Sequence, residues 1–511
     1  MNPGFQPTAF LTAAWLVLAG SVTAAELEMS AVFGDNMVIQ RDMPIHVWGW
    51  TEPNGEVAVR IDDGEPVAVT AGGDGRFDAE LPAMPHDDAV PHTLMVTAGD
   101  VTKTLDGVLI GEVFLCSGQS NMSWAVQNSY DADLESLTAN YPNIRIISVP
   151  NRAAQSPQRT FDGAWEEVTP ESVKDFSAVG YFFGRQIHQT LGVPVGLIDN
   201  AWGGSAAEAW VPRETLQSEP MYDNLIAQWD TKVAKDDYED RLTAYREKMR
   251  AIRQSGSEET PPSRPRNELM GNSRIGNLYY GCLTPIIGYP IRATIWYQGE
   301  SNAGEATQYQ DLFPRLIRKW REDWDQDFSF YWVQLADFMK ESSVSQKSNW
   351  AALREAQTMT TALPKTGQAV IIDLGEAKDI HPRDKLNVAK RLARLSLAND
   401  FGYDIVHRSP VFRSARVESS AEGPVVMVDF DHVGGGLNTF DVHEVRGFTV
   451  SGEDGKFVEA TGRVVDEDTV AVSGEGVQRP VEIRYGWANN PVVNLESREG
   501  LPATPFRVRL D

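Results

Sequence analysis

The pattern that most restricts the fold is an alternation, between residues 111 and 398, of short apolar runs with segments of helical periodicity. Val113-Phe-Leu-Cys116, Val195-Gly-Leu-Ile198, Ile291-Arg-Ala-Thr-Ile-Trp-Tyr297, residues 328–335 and Ala369-Val-Ile-Ile-Asp-Leu374 read as strands. Residues 176–190, 312–324 (with Pro314 near the start) and 384–398 read as helices, and a helix-compatible segment begins near Met122. Short buried strands separated by helices imply βαβ units and a mostly parallel sheet. The carboxyl ends of the parallel strands then share one crevice, and ligands bind there.

Four of the strand ends carry polar or glycine clusters. They are Ser117-Gly-Gln-Ser-Asn121, Asp199-Asn-Ala-Trp-Gly-Gly-Ser-Ala206, Gln298-Gly-Glu-Ser-Asn302 and Gly375-Glu-Ala-Lys-Asp-Ile-His-Pro382. One such cluster is an ordinary turn, since serine and glycine are common in turns. Four on separate strand ends point to an active site.

Chemistry assigns the roles. Ser120, raised on a turn among backbone N–H groups, is the candidate nucleophile, and those donors favour developing negative charge. It needs a base, and His381 is the only histidine of eight at one of these strand ends. Pro382 after it suits the first turn of a helix. The backbone N–H groups of Ser120 and Gly204 and the side-chain amide of Asn302 are candidate oxyanion donors, glycine permitting close approach of backbone to ligand. Asp379 is the candidate to orient His381. Glu300, Gln119 and Gln298 are further candidates for the acid or for substrate contact, and a backbone carbonyl is an alternative orienting group.

Gly118-Gln-Ser-Asn-Met122, Trp296-Tyr-Gln-Gly-Glu-Ser-Asn302 and Asp379-Ile-His-Pro382 resemble the sialate O-acetylesterase family of SGNH hydrolases. The Ser, Gly, Asn and His of that superfamily map onto Ser120, Gly204, Asn302 and His381. The resemblance covers residues 111–398, and more loosely Tyr485-Gly-Trp-Ala488 and Leu501-Pro-Ala-Thr-Pro-Phe506. It implies an SGNH-type three-layer α/β domain. It also implies hydrolysis of sugar O-acetyl esters through a serine acyl-enzyme, with no cofactor or metal. One position departs. Many SGNH hydrolases carry the acid three residues before the histidine, and here that residue is Lys378. No Gly-x-Ser-x-Gly elbow is present, which sets aside the α/β-hydrolase fold.

Outside this domain the texture is β-rich. Residues 26–109 alternate short runs such as Val57-Ala-Val-Arg-Ile61 with turns such as Gly72-Gly-Asp-Gly75, as a small sandwich does. Residues 401–511 read as a second β-rich domain, with strands at 424–430, 464–472 and 481–485. The α/β domain is expected over 110–400, interrupted by a charged helical insertion at about 213–268. Leu225, Trp229, Val233, Tyr238, Leu242, Tyr245, Met249 and Ile252 mark one face of that insertion.

Charge and targeting narrow the setting. Asp and Glu outnumber Lys and Arg by 72 to 46, a formal net charge of −26. Such a surface repels nucleic acid and anionic membrane. An apolar stretch at 10–19 followed by Thr23-Ala-Ala25 fits an export signal over residues 1–25, although no Lys or Arg precedes it. A periplasmic or extracellular enzyme without membrane insertion is therefore expected. Cys116 and Cys282, the only cysteines, read as buried apolar residues rather than a disulfide. His432 and His443 lie among aspartates without ligand spacing and read as surface charge, against a metal-dependent deacetylase. The expected partner is an O-acetylated carbohydrate, 9-O-acetyl sialic acid first. Acetylxylan or another glycan is the alternative, and a non-catalytic carbohydrate-binding protein a weaker one.

Overall fold

The computed structural model describes Met1 and residues 27–255, 260–344, 347–421 and 423–510. The expected export signal therefore lies, Met1 apart, outside the described residues. No helix among those described is long and apolar enough to cross a membrane.

One strand organises the molecule. Val101–Gly118 begins with alternating half-buried and exposed residues and ends with eleven buried in succession. Its first half pairs antiparallel with His92–Ala98, with one face wet. Its second half pairs parallel with Val195–Ala201 on one side and Ala293–Tyr297 on the other. The change from alternating to continuous apolar sequence thus marks where the strand leaves a half-covered sheet for one covered on both faces.

The central part of that sheet runs Glu166–Val168, Tyr141–Ser148, Val195–Ala201, Val101–Gly118, Ala293–Tyr297, Ser329–Val333, Thr366–Ala369, parallel except for the first pair. Phe114, Cys116, Ile295 and Tyr331 share a core with the helices Ala178–Leu191 and Lys385–Asn399. Val113, Leu115, Trp296 and Trp332 share the opposite core with Ala306–Trp324 and Asn349–Met359. Helices therefore cover both faces.

Several expected elements shift. The helix placed at 312–324 begins at Ala306, so Pro314 lies inside it. An interior proline costs about 3 kcal/mol. The apolar stripe Tyr309, Leu312, Phe313, Leu316, Ile317, Trp320 and Trp324 is buried throughout and offsets that cost. The last strand covers Thr366–Ala369 rather than 369–374. Val370, Ile371 and Ile372 are buried by packing, not by strand pairing. The charged insertion is built mainly of two helices, Asp223–Ala234 and Tyr238–Ser255, in which only Trp229 and Leu242 are buried. Both cysteines are free and buried.

Two β-rich regions flank the sheet. Before it, a three-stranded antiparallel sheet (Glu28–Met29, Ile45–Trp50, Arg76–Leu81) packs against the strands around His92–Ala98. After it comes a seven-stranded antiparallel sheet with its own core of Val428, Phe430, Phe448, Val472, Ile483 and Tyr485. The run at 464–472 is a hairpin, Phe457–Asp466 and Thr469–Gly474, because Glu467-Asp468 turns the chain.

Candidate active site

Ser120 sits immediately beyond the long strand. Gly118 ends that strand at φ 133°, and a Cβ there would lie 2.2 Å from the Tyr297 carbonyl oxygen, so only glycine lets the two strands approach so closely. The Gln119 N–H donates to that carbonyl (2.9 Å), and the Gln119 carbonyl then accepts from Met122 N (2.9 Å) and Ser123 N (3.1 Å). Ser120 is thus lifted on a tight turn. The helix expected at Met122 is absent, and the first helical turn is the 3₁₀ segment Val126–Asn128. Local donors at Ser120 come from the turn, not from a helix end.

His381 arrives from the far side of the sheet. It lies in the loop before Lys385–Asn399, whose cap is Asp384, accepting from Asn387 N at 3.0 Å. Pro382 therefore precedes the helix and is not its first residue. His381 Nε2 is 2.9 Å from Ser120 Oγ. Asp379 Oδ1 accepts from His381 Nδ1 (3.2 Å) and from the His381 backbone N–H (2.9 Å). Donation from that backbone N–H, then from the ring, holds the Asp379 carboxyl below its ordinary value. The indole of Trp124 stacks on the imidazole, with ring centres 4.7 Å apart and planes 14° apart.

The second cluster lies against the serine. Gly204 has φ 70°, and a Cβ on Gly203 would be 3.4 Å from Ser120 Cβ. The carbonyl of Gly203 accepts from Asn272 Nδ2 (2.5 Å) and that of Gly204 from Ser301 Oγ (3.1 Å). Among the described residues, no protein acceptor takes the backbone N–H of Ser120 or of Gly204.

The third cluster is close by but mostly turned inward. Asn302 is buried, and its oxygen accepts from Ala207 N (3.0 Å) and Gln298 Nε2 (2.7 Å). Its nitrogen donates to Glu208 Oε2 (2.9 Å), a carboxyl whose affinity for protons is raised by burial. Gln298 is completely buried, donating also to Ser205 O (3.1 Å) and accepting from Tyr309 (3.0 Å). It ties loops together and has no face for substrate, which corrects its candidacy as a contact. Gln119 accepts from Gly299 N through Oε1 (3.2 Å). The Glu300 carboxyl bonds Asn121 rather than the imidazole, so Asp379 alone of the two acids faces His381.

Sequence reasoning missed Trp124, Asn121, Lys385, Asn272 and Glu208. Asn121 and Trp124 were visible in the Ser120 turn. Glu208 and Lys385 carry no signal, because a charged residue on a helical stretch normally reads as solvated.

A family model described as carbohydrate esterase, sialic acid-specific acetylesterase, matches residues 110–246 and 282–396. The chain is 30% identical to the sialate O-acetylesterase of Mus musculus over 406 residues, 71% of each chain. It is 30% identical to that of Homo sapiens over 404 residues, 71% of this chain and 69% of the other. The crystal structure of a carbohydrate acetylesterase from Xanthomonas citri superposes with TM-score 0.78 at 33% identity, covering 94% of this chain and 99% of that one. Ser120, Gly204, Asn302 and His381 lie within the matched segments: the chain belongs to the sialic acid-specific acetylesterase family of carbohydrate esterases and is a carboxylic ester hydrolase.

Proposed function

We propose that the chain is an SGNH hydrolase in which Ser120 is the nucleophile and His381 the general base. The observation that carries this is the 2.9 Å contact between Ser120 Oγ and His381 Nε2. Ser120 Oγ attacks the acetyl carbonyl carbon and its proton passes to His381 Nε2. The developing oxyanion accepts from the backbone N–H groups of Ser120 and Gly204, with the second hydrogen on Asn302 Nδ2 as a third donor. His381 then protonates the departing sugar hydroxyl. Water, activated by the same imidazole, releases acetate from Ser120. Asp379 keeps Nδ1 protonated, so that Nε2 is free to accept.

The substrate reading is an O-acetylated sugar, 9-O-acetyl sialic acid first. Another acetylated glycan is the second reading, favoured by the nearly full-length likeness to a bacterial carbohydrate acetylesterase. The apolar stretch at residues 10–19 supports a reading in which the enzyme is exported and acts in the periplasm or outside the cell.

Ser120→Ala is expected to lower acetate release from p-nitrophenyl acetate by at least about 1000-fold with the melting temperature unchanged. Unchanged turnover in a folded S120A protein would refute the nucleophile. Comparing kcat/KM on O-acetylated sialic acid and acetylxylan decides the sugar.

A further inference from the structure

A buried polar bridge runs beneath the catalytic pair. Lys385, the first residue of its helix, is fully buried, and its ammonium donates to Asn121 Oδ1 at 2.6 Å. Around it stand the rings of Tyr297 and Trp124, at 5.1 and 5.9 Å from the nitrogen. Asn121 Nδ2 donates twice, to Glu300 Oε1 (2.6 Å) and to the backbone carbonyl of Ile380 (3.0 Å). Glu300 Oε2 is buried with no protein partner. Asn121 therefore touches both halves of the site: it follows Ser120 in the chain, and it grips the residue before His381.

An amide has two ends that differ only in what they can pair with. The Ile380 carbonyl can only accept, and while Lys385 is an ammonium it can only donate, so these partners, with the Glu300 carboxyl accepting beside them, admit one orientation of Asn121. In the flipped state its NH₂ would face the ammonium, its oxygen would face the carboxylate, and the Ile380 bond would be lost. We propose that Lys385 and Glu300 are positioning residues for the Ser120–His381 pair and act through Asn121, whose amide they lock. This rests on the reading of that pair as nucleophile and base. Burial pushes Lys385 down to about 7 against the pull of Glu300, Asp379, Glu376 and Asp384, and burial raises Glu300. A lysine held at such a cost, at the positive end of a helix, is a poor device for stability and a good one for geometry.

The test is Asn121→Asp, an isosteric change that removes both donations, beside Lys385→Met. Turnover of p-nitrophenyl acetate, melting temperature and the rate at which a fluorophosphonate labels Ser120, read by intact mass, are measured for each. N121D is expected to lose about 100-fold in kcat and in labelling rate with KM changed less than about threefold, as a small misplacement of reacting groups does. K385M is expected to lose about tenfold in kcat and in labelling rate and to melt below the native protein, because the change leaves Asn121 Oδ1 and the buried Glu300 carboxyl without their partner. A merely structural lysine would lower stability in the same way and spare kcat and the labelling rate. Folded variants labelled and turning over at the native rate would overturn the positioning role alone. Failure of the native protein to be labelled would overturn the nucleophile reading, and this inference with it.

Discussion

Asp379 holds His381 through a single oxygen, which meets both the ring and the backbone N–H. Its side chain is 53% exposed, unlike the buried aspartate of a typical triad. Water screens the charge, so in the proposed mechanism Asp379 would act on the ring through its geometry more than through its charge. Asp379→Asn is accordingly expected to lower kcat by about 10- to 100-fold, less than the roughly 10⁴-fold found where the orienting acid is buried. A loss as large as that of Ser120→Ala would show that its charge matters despite the exposure. That Ser120, the Gly203-Gly204 turn and His381 gather at one rim was legible in the sequence, because polar residues at the ends of apolar strands have few structural reasons to be there. The choice between Asp379 and Glu300 was not legible, since both are near in sequence to site residues. Only folding shows that Asn121 occupies one of them.

Among the elements, the parallel strands were legible from their continuous apolar runs, and their lengths were not. Where the ladder stops depends on neighbours, as at the edge strand Thr366–Ala369. The helix over Pro314 was misplaced at its start for a similar reason: tertiary burial of seven large side chains outweighed one local breaker. The strand Ile45–Trp50 shows an element tied to the rest by a titrating group. His46 donates through Nδ1 to the Gly288 carbonyl (3.1 Å), and Nε2 pairs with Asp78 Oδ1 (2.9 Å). The Asp78 hydrogen bond is the largest cause raising His46 above its ordinary value. Burial alone would raise Asp78, but the bonds from His46 and Arg76 bring it down to about 2. A base whose folded pKa is raised stabilises fully below its unfolded value, and that contribution is lost as pH rises through the folded one. Asp78 remains ionised throughout that range. The native protein is therefore expected to melt above His46→Gln at about pH 5, with the gap closing by about pH 8.5. A gap that widens with pH would contradict the assignment.

At the scale of the whole molecule, the N-terminal region shares one apolar core with a face of the central sheet, and buried charges reinforce the junctions on both sides of that sheet. Glu112 on the long strand is completely buried and accepts from Gln40 (2.8 Å) and Arg41 (2.5 Å) on the N-terminal side and from Arg292 (2.7 Å) beside the central sheet. On the other side the joint is Arg354, also completely buried. Its guanidinium donates to the carbonyls of Leu335 (2.8 Å) and Ala336 (2.7 Å), in the loop leaving the strand Ser329–Val333. It donates as well to Ala488 (2.8 Å) and Asn489 (2.9 Å), in the C-terminal region. Phe338 N and Ser342 N donate back to Asn489 (3.1 Å) and Asn490 (2.9 Å), so the two loops are laced together. Ala488, in the stretch Tyr485-Gly-Trp-Ala488 to which the family resemblance loosely extends, is part of this joint. The same loop also meets the His381 segment, where Gly375 N donates to Asp337 Oδ1 at 2.6 Å. Arg354→Met keeps the bulk of the stem but strips four buried carbonyls of a donor. The expected cost is about 3–5 kcal/mol, the range for breaking a buried charged network from one side. Because the seven-stranded sheet has a core of its own, the loss should appear as a separate, earlier transition in calorimetry rather than as a uniform shift. A single transition at the native temperature would show that the apolar contacts between the two bodies suffice, and that Arg354 is not what fastens the C-terminal sheet to the catalytic one.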